Sequence, residues 1–136
     1  MGSNINIGIL SQIYASGGGL ENIVIKNNVS LNSNVMINAD HGGYIEIGEN
    51  CIIGPNVVIR TSNHEFSSKD EPIRNQGHRP GKIILQENTW IGANCTIIGN
   101  VTIGKGTVIG AGSVVNKDIE SFVIAAGVPA RVIGKR

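Results

Sequence analysis

The stretch that decides the fold is WIGANCTIIGNVTIGKGTVIGAGSVV, residues 90–115. Aliphatic residues recur every six positions through this stretch and just before it: Leu85, Ile91, Ile97, Ile103, Ile109 and Val115. Small or β-branched residues follow four positions after these: Thr89, Cys95, Val101, Thr107 and Ser113. A period of six matches neither an α-helix, with its period of about 3.6, nor a simple alternating strand. It predicts short strands joined by tight turns, three to a coil, stacked into a parallel β-helix with an aliphatic interior.

The same period extends over most of the chain. It recurs at Ile47, Ile53 and Ile59, and less regularly in the N-terminal segment, where Gly19 replaces one aliphatic residue: Ile7, Ile13, Ile25, Leu31 and Ile37. Shifts of frame predict a small insertion near residues 38–46 and a long protruding loop near 60–82, and a short tail covers about 120–136. We therefore expect one all-β domain over residues 1–136. A β-sandwich, with turns every 8 to about 12 residues, fits the strict period less well.

Composition narrows the classes of function. The net charge of +1 argues against a nucleic-acid binder that works by neutralising phosphates. The chain shows no signal peptide and no apolar run that would span a membrane, so we expect a cytoplasmic protein. Cys51 and Cys95 occupy equivalent small positions of the repeat, which favours two buried free thiols over a disulfide.

Three motifs resemble the hexapeptide-repeat acetyltransferases: WIG at 90–92, IGAGS at 109–113 and GVPAR at 127–131. The resemblance covers about residues 24–136, and the family includes galactoside, maltose and serine acetyltransferases and the O-acetyltransferases of capsule and lipopolysaccharide synthesis. It implies a left-handed β-helix, acetyl-CoA as co-substrate without a metal, and a homotrimer with active sites between subunits. The loop at 60–77 resembles the polysaccharide O-acetyltransferase branch, which implies a sugar hydroxyl as acceptor. The chain begins almost within a coil, so either Met1 starts a short member or upstream sequence precedes it.

Acyl transfer from a thioester needs a base for the acceptor's proton, and a neutral imidazole suits this task. The sequence offers three candidates, His41, His64 and His78. His64 matches the catalytic loop histidine of the family and is the predicted general base. His41, within DHGG at 40–43, resembles the catalytic histidine of serine acetyltransferases; as the base, it would favour serine or an amine as acceptor. His78 resembles a substrate-side histidine of that same branch, or is an exposed loop residue.

The resemblance also supplies binding residues. For acetyl-CoA these are Trp90, Ala93, Ala111, Asn116, Lys117 and Arg131, with the two cations available to neutralise phosphate. For the acceptor they are Asn32, Asp40 and His41. Gly134 stands where the family has a second arginine, so that phosphate contact would pass to Lys135 or Arg136. Because Ser113 and both cysteines occupy inward positions, we expect direct transfer without an acyl-enzyme.

Two other functions are also compatible with a β-helix fold. A carbonic anhydrase of the gamma class binds zinc through three histidines, but the gaps of 23 and 14 residues between His41, His64 and His78 lack the close pair which that family needs. A non-catalytic β-solenoid is the other alternative. It gives no reason for a histidine-bearing loop and a basic Pro-Ala-Arg tail to occur together.

Overall fold

The computed structural model describes residues 1–15 and 22–136, so Gly19 lies outside the described residues. Almost all of the described chain consists of short strands and turns. In chain order the strands are β1 (Asn6–Ile7), β2 (Gln12–Tyr14), β3 (Ile23–Ile25), β4 (Ser30–Leu31), β5 (Met36–Asn38), β6 (Tyr44–Ile47), β7 (Ile52–Ile53), β8 (Val58–Arg60), β9 (Asn63–His64), β10 (His78–Arg79), β11 (Lys82–Leu85), β12 (Trp90–Ile91), β13 (Thr96–Ile98), β14 (Val101–Ile103), β15 (Val108–Ile109), β16 (Val114–Val115), β17 (Val123–Gly127) and β18 (Ala130–Lys135).

Three parallel sheets form the faces of a triangular coil. Face 1 contains β1, β4, β7, β12, β15 and β17; face 2 contains β2, β5, β8, β13 and β16; face 3 contains β3, β6, β11 and β14. The chain visits the faces in the order 1, 2, 3. Ile91 pairs with Ile109, so one coil takes 18 residues, or three hexads. The β-helix predicted from the period of six is confirmed.

The aliphatic residues of the repeat point inward and stack in columns. Each face contributes one column of side chains that are at most 1% exposed: Leu31, Ile53, Ile91 and Ile109; Ile37, Ile59, Ile97 and Val115; Ile25, Ile47, Leu85 and Ile103. The first coil departs from this pattern, because Ile7 is 43% exposed. Its strand β1 is the end strand of face 1 and pairs with β4 alone among the described strands, so none of these strands covers the other side of Ile7.

Asparagine and glycine residues make the turns between faces. We name the turns from face 1 to face 2 corner 1, those from face 2 to face 3 corner 2, and those from face 3 to face 1 corner 3. At corner 1, Asn34, Asn56 and Asn94 all adopt φ between +56° and +58°, a conformation that asparagine tolerates. Their side-chain amides bond to one another along the stack, at 2.9 and 3.1 Å. This row of asparagine side chains holds successive coils in register.

Both departures from the repeat lie at corner 2. The first is the insertion at 39–43, between β5 and β6, and the second is the loop at 61–81, between β8 and β11. Within the loop, β9 and β10 form an antiparallel hairpin, and residues Ile73–Asn75 form a 3₁₀ turn. The tail is also ordered: β17 extends face 1, and β18 folds back on it as an antiparallel strand.

Both cysteines are free and buried, as the repeat predicts. The Sγ of Cys51 lies 3.1 Å from Thr89 Oγ1, and the Sγ of Cys95 donates to the carbonyl of Gly110 at 3.1 Å. Burial raises the pKa of both thiols, and the thiolate is the reactive form. We expect neither thiol to react with Ellman's reagent in the native chain and both to react in denaturant. Rapid labelling of either cysteine without unfolding would contradict this packing.

Candidate functional site

The three histidines lie side by side at corner 2. His64 on β9 is the direct partner of His78 on β10, and their ring centroids are 4.1 Å apart at an angle of 39°. His41, from the insertion turn, stacks on His78 almost in parallel, with centroids 3.7 Å apart and 6° between the planes. His78 is therefore the middle ring of a three-histidine stack. His41 and His64, the two alternative candidates for the general base, therefore belong to one cluster.

The insertion turn holds His41 through close backbone packing. His41 and Gly42 both have positive φ, +57° and +80°, which turns the chain sharply out of β5. Gly43 then passes against the root of the loop, where a Cβ would overlap the hydroxyl of Thr61. Asn38 holds Asp40 through two hydrogen bonds. Asn38 Nδ2 donates to Asp40 Oδ2 at 3.1 Å, and Asn38 Oδ1 accepts from the backbone N–H of Asp40 at 3.1 Å.

The hairpin β9–β10 presents His64 to an open cleft. Arg79 makes two bonds to the carboxylate of Glu65, at 2.6 and 2.9 Å, and this pair lowers the pKa of Glu65 and raises that of Arg79. The cleft has a volume of about 340 Å³ and is lined by Asn63, His64, Phe66 and Arg79. An exposed imidazole thus stands beside an amide, a guanidinium and an aromatic ring. Such a set can bind a polar molecule and accept its proton.

Two polar side-chain atoms at this corner are buried without a hydrogen-bond partner among the described residues. They are Ser62 Oγ, at the root of the loop, and His78 Nδ1, within the stack. The pKa of His78 is lowered, first by burial and then by the charges of His41, His64 and Arg60. The middle ring therefore favours its neutral form.

Several of the residues that the resemblance assigns to acetyl-CoA lie at corner 1. Ala93 and Ala111 occupy neighbouring coils there, and the N–H of Gly112 donates to the carbonyl of Ala93 at 2.8 Å. Arg131 on β18 pairs with Ala126, which lies against the next turn of the same corner. Asn32, assigned to the acceptor, also lies at corner 1, between β4 and β5.

The remaining predicted residues lie elsewhere. Asn116 and Lys117 follow β16 and are exposed at corner 2, on the side of the histidine stack. Trp90 points outward from face 1, 53% exposed, and lines a second cleft of about 320 Å³ together with Arg136. The guanidinium of Arg136 donates to the carbonyl of Gly106 at 2.8 Å. One chain thus brings Asp40, His41 and His64 together at corner 2 but places Ala93, Ala111 and Arg131 at corner 1.

Two kinds of feature are absent from residues 1–15 and 22–136. No set of three or more histidine, cysteine, aspartate and glutamate side chains in these ranges is arranged to hold a metal ion. Within the same ranges, no helix has both the length and the apolar character needed to cross a membrane.

Known proteins resemble the chain in both repeat and fold. Residues 82–117 match the family described as bacterial transferase hexapeptide (six repeats), and residues 44–61 match the hexapeptide repeat of succinyl-transferase. The galactoside O-acetyltransferase of Escherichia coli (strain K12) is 40% identical over 126 residues, covering 89% of this chain and 57% of that protein. A putative lipopolysaccharide biosynthesis O-acetyl transferase of the same organism is 30% identical over 141 residues, covering 98% of this chain and 70% of that protein.

A solved structure gives the handedness of the coil. It is that of a galactoside acetyltransferase in complex with coenzyme A, with a TM-score of 0.85, 36% identity, and coverage of 98% of this chain and 63% of that one. The coil is a left-handed β-helix, as the resemblance implied. The chain spans little more than half of the galactoside O-acetyltransferase sequence that it matches, 57%. On the repeat, the fold and these relatives, the chain belongs to the hexapeptide-repeat acetyltransferase family.

Proposed function

We propose that the chain is an acetyl-CoA-dependent O-acetyltransferase that acetylates a hydroxyl group of a sugar or polysaccharide precursor, with His64 as general base. The observation that carries this proposal is the exposed His64 ring, which opens onto a cleft lined by Asn63, Phe66 and Arg79. Amide and guanidinium donors beside an aromatic ring suit the hydroxyl groups and apolar face of a sugar. Relatives named for galactoside and lipopolysaccharide acetylation support the same acceptor class.

The reaction proceeds by direct transfer. The neutral imidazole of His64 takes the proton of the acceptor hydroxyl while the hydroxyl oxygen attacks the carbonyl carbon of the thioester. Backbone N–H groups stabilise the negative charge on the carbonyl oxygen. The carbon–sulfur bond then breaks, and the departing thiolate recovers the proton from His64. The products are the acetyl ester and coenzyme A with a free thiol.

Acetyl-CoA binds along corner 1 in this proposal. The small side chains of Ala93 and Ala111 leave the backbone of successive turns accessible to the pantetheine arm, and Arg131 offers a cation for phosphate. Lys117 and His64 lie at corner 2. The coenzyme residues of corner 1 and these residues of corner 2 therefore form one complete site when corner 1 of one copy faces corner 2 of another copy. A homotrimer of the chain would contain three such sites between neighbouring subunits, each with Trp90 near the thioester.

The test is release of the coenzyme A thiol from acetyl-CoA in the presence of a panel of acceptors. The panel contains galactosides, maltose, nucleotide-sugars, serine and aminoglycosides. We expect sugars to raise the rate above that without acceptor. Stimulation by serine or amines alone would instead favour the alternative in which His41 is the base. Failure to bind coenzyme A at all would contradict the proposed function.

A further inference from the structure

We infer that His78 is the positioning residue for His64, and that its ring is held neutral at the centre of the stack. The inference rests on the proposed function, since it concerns the base of that reaction. It assigns a role to His78, which takes no part in the proposed proton transfer.

The geometry of the hairpin gives His78 this position. Residues directly opposite on an antiparallel pair project to the same side, and His64 and His78 are such a pair. An exposed histidine on a loop is otherwise free to change rotamer. The ring of His78, 4.1 Å away, blocks part of that range for His64. His41 stacks on His78 at 3.7 Å and keeps the middle ring from turning away.

The surroundings of the middle ring disfavour its protonation. An imidazolium donates from both ring nitrogens, and Nδ1 of His78 is buried without a partner among the described residues. A charged donor in that position would lose its hydration without compensation. Positive or titratable groups face the ring from three elements: His41 from the insertion turn, His64 from β9 and Arg60 from β8.

The carboxylates of Asp40 and Glu65 are adjacent in sequence to the two outer histidines, His41 and His64. Asp40 accepts a bond from Asn38, and Glu65 is paired with Arg79. The direction of the His78 pKa, lowered by burial and then by its cationic neighbours, agrees with the packing. Because the pKa of His78 is lower in the folded chain than in the unfolded chain, His78 is protonated first in the unfolded chain as the pH falls. Stability from this residue is therefore complete above the ordinary histidine pKa of about 6.5 and declines as the pH falls below it.

The first test compares His78→Ala with His78→Phe. Removing the ring frees His64, and we expect kcat to fall by about 10- to 100-fold, as misplacement of a catalytic group does, with KM for acetyl-CoA little changed. Phenylalanine restores a flat ring of similar width and should recover most of kcat. The control is Arg74→Ala, an exposed loop cation outside the stack. A His78→Ala enzyme with the wild-type kcat, or a His78→Phe enzyme as slow as His78→Ala, would overturn the positioning role.

The second test needs no turnover. Proton–nitrogen NMR of the imidazole rings follows each histidine from about pH 4.5 to 8.5, with assignments from the three single substitutions. His78 is expected to titrate below the ordinary histidine pKa of about 6.5, and His41→Ala should raise its midpoint because the charge of His41 lowers the pKa of His78. If His78 titrates at or above the ordinary histidine pKa of about 6.5, the inference that its ring is held neutral is wrong. Failure of the proposed acetyl transfer would appear in the first test alone, so the two failures are distinguishable.

Discussion

His64→Ala is expected to lower kcat by roughly 10²- to 10⁴-fold, which is the usual contribution of a general base. The side chain that is removed ends in the cleft of the β9–β10 hairpin, at corner 2. Ala93 and Ala111, which we assign to coenzyme A, lie at corner 1 of the same chain. The dissociation constant for coenzyme A should therefore stay within about threefold of wild type, because binding and proton transfer use different residues. Steady-state kinetics and calorimetry with coenzyme A measure the two effects.

The comparison variants for this experiment are His41→Ala and Arg74→Ala. His41 is an outer ring of the stack but is not among the residues that line the cleft, so its loss should reduce kcat less than the loss of His64. Arg74, exposed in the 3₁₀ turn, should leave kcat near wild type. If His41→Ala abolished turnover and His64→Ala did not, His41 would be the base and the acceptor class would change with it.

Ile53→Ala should lower the free energy of unfolding by about 2–5 kcal/mol, as large-to-small changes in a packed core do. Ile53 is 0% exposed in the inward column of face 1, where its strand pairs with β4 on one side and β12 on the other. A stack of coils cannot close around the missing methyl groups without moving its neighbours. Urea unfolding followed by circular dichroism measures the loss.

Ile52 provides a matched control for this substitution. It is the same residue type on the same strand, but it points outward and is 53% exposed. Ile52→Ala should change the free energy of unfolding by no more than about 0.5 kcal/mol. Equal losses at the two positions would contradict the assignment of inward and outward residues along β7.

The sequence predicts the stacked coils because the repeat is strictly local. Each hexad specifies one strand and one turn, and its Ile or Val residue must point inward wherever the coil stacks. The paired strands therefore follow from the period alone, as Ile91 with Ile109 illustrates. The handedness does not follow from the period, since inward residues alternate in the same way in either hand. The antiparallel return of β18 does not follow from the period either, because its residues carry no hexad.

The site was only partly predictable for a related reason. His41 and His64 were recognised as rivals, but their contact with His78 depends on tertiary structure. A signal was available, because both frame shifts follow a face 2 residue of the column, Ile37 and Ile59. Insertions at equivalent points of successive coils must emerge at the same corner. The burial of His78 Nδ1 and the hydrogen bond from Arg136 to the Gly106 carbonyl depend on side-chain packing and leave no pattern in the sequence.

The most direct measurement follows the acetyl group itself. Wild-type chain and the His64→Ala variant are incubated with acetyl-CoA carrying a ¹³C-labelled acetyl group and with the best sugar acceptor of the panel, and the acceptor is analysed by mass spectrometry and NMR. The proposed function predicts a labelled acetyl ester on a sugar hydroxyl with wild type, formed at a rate that His64→Ala reduces at least about 10²-fold. Thiol release without a labelled acceptor, or ester formed equally fast by both proteins, would contradict it.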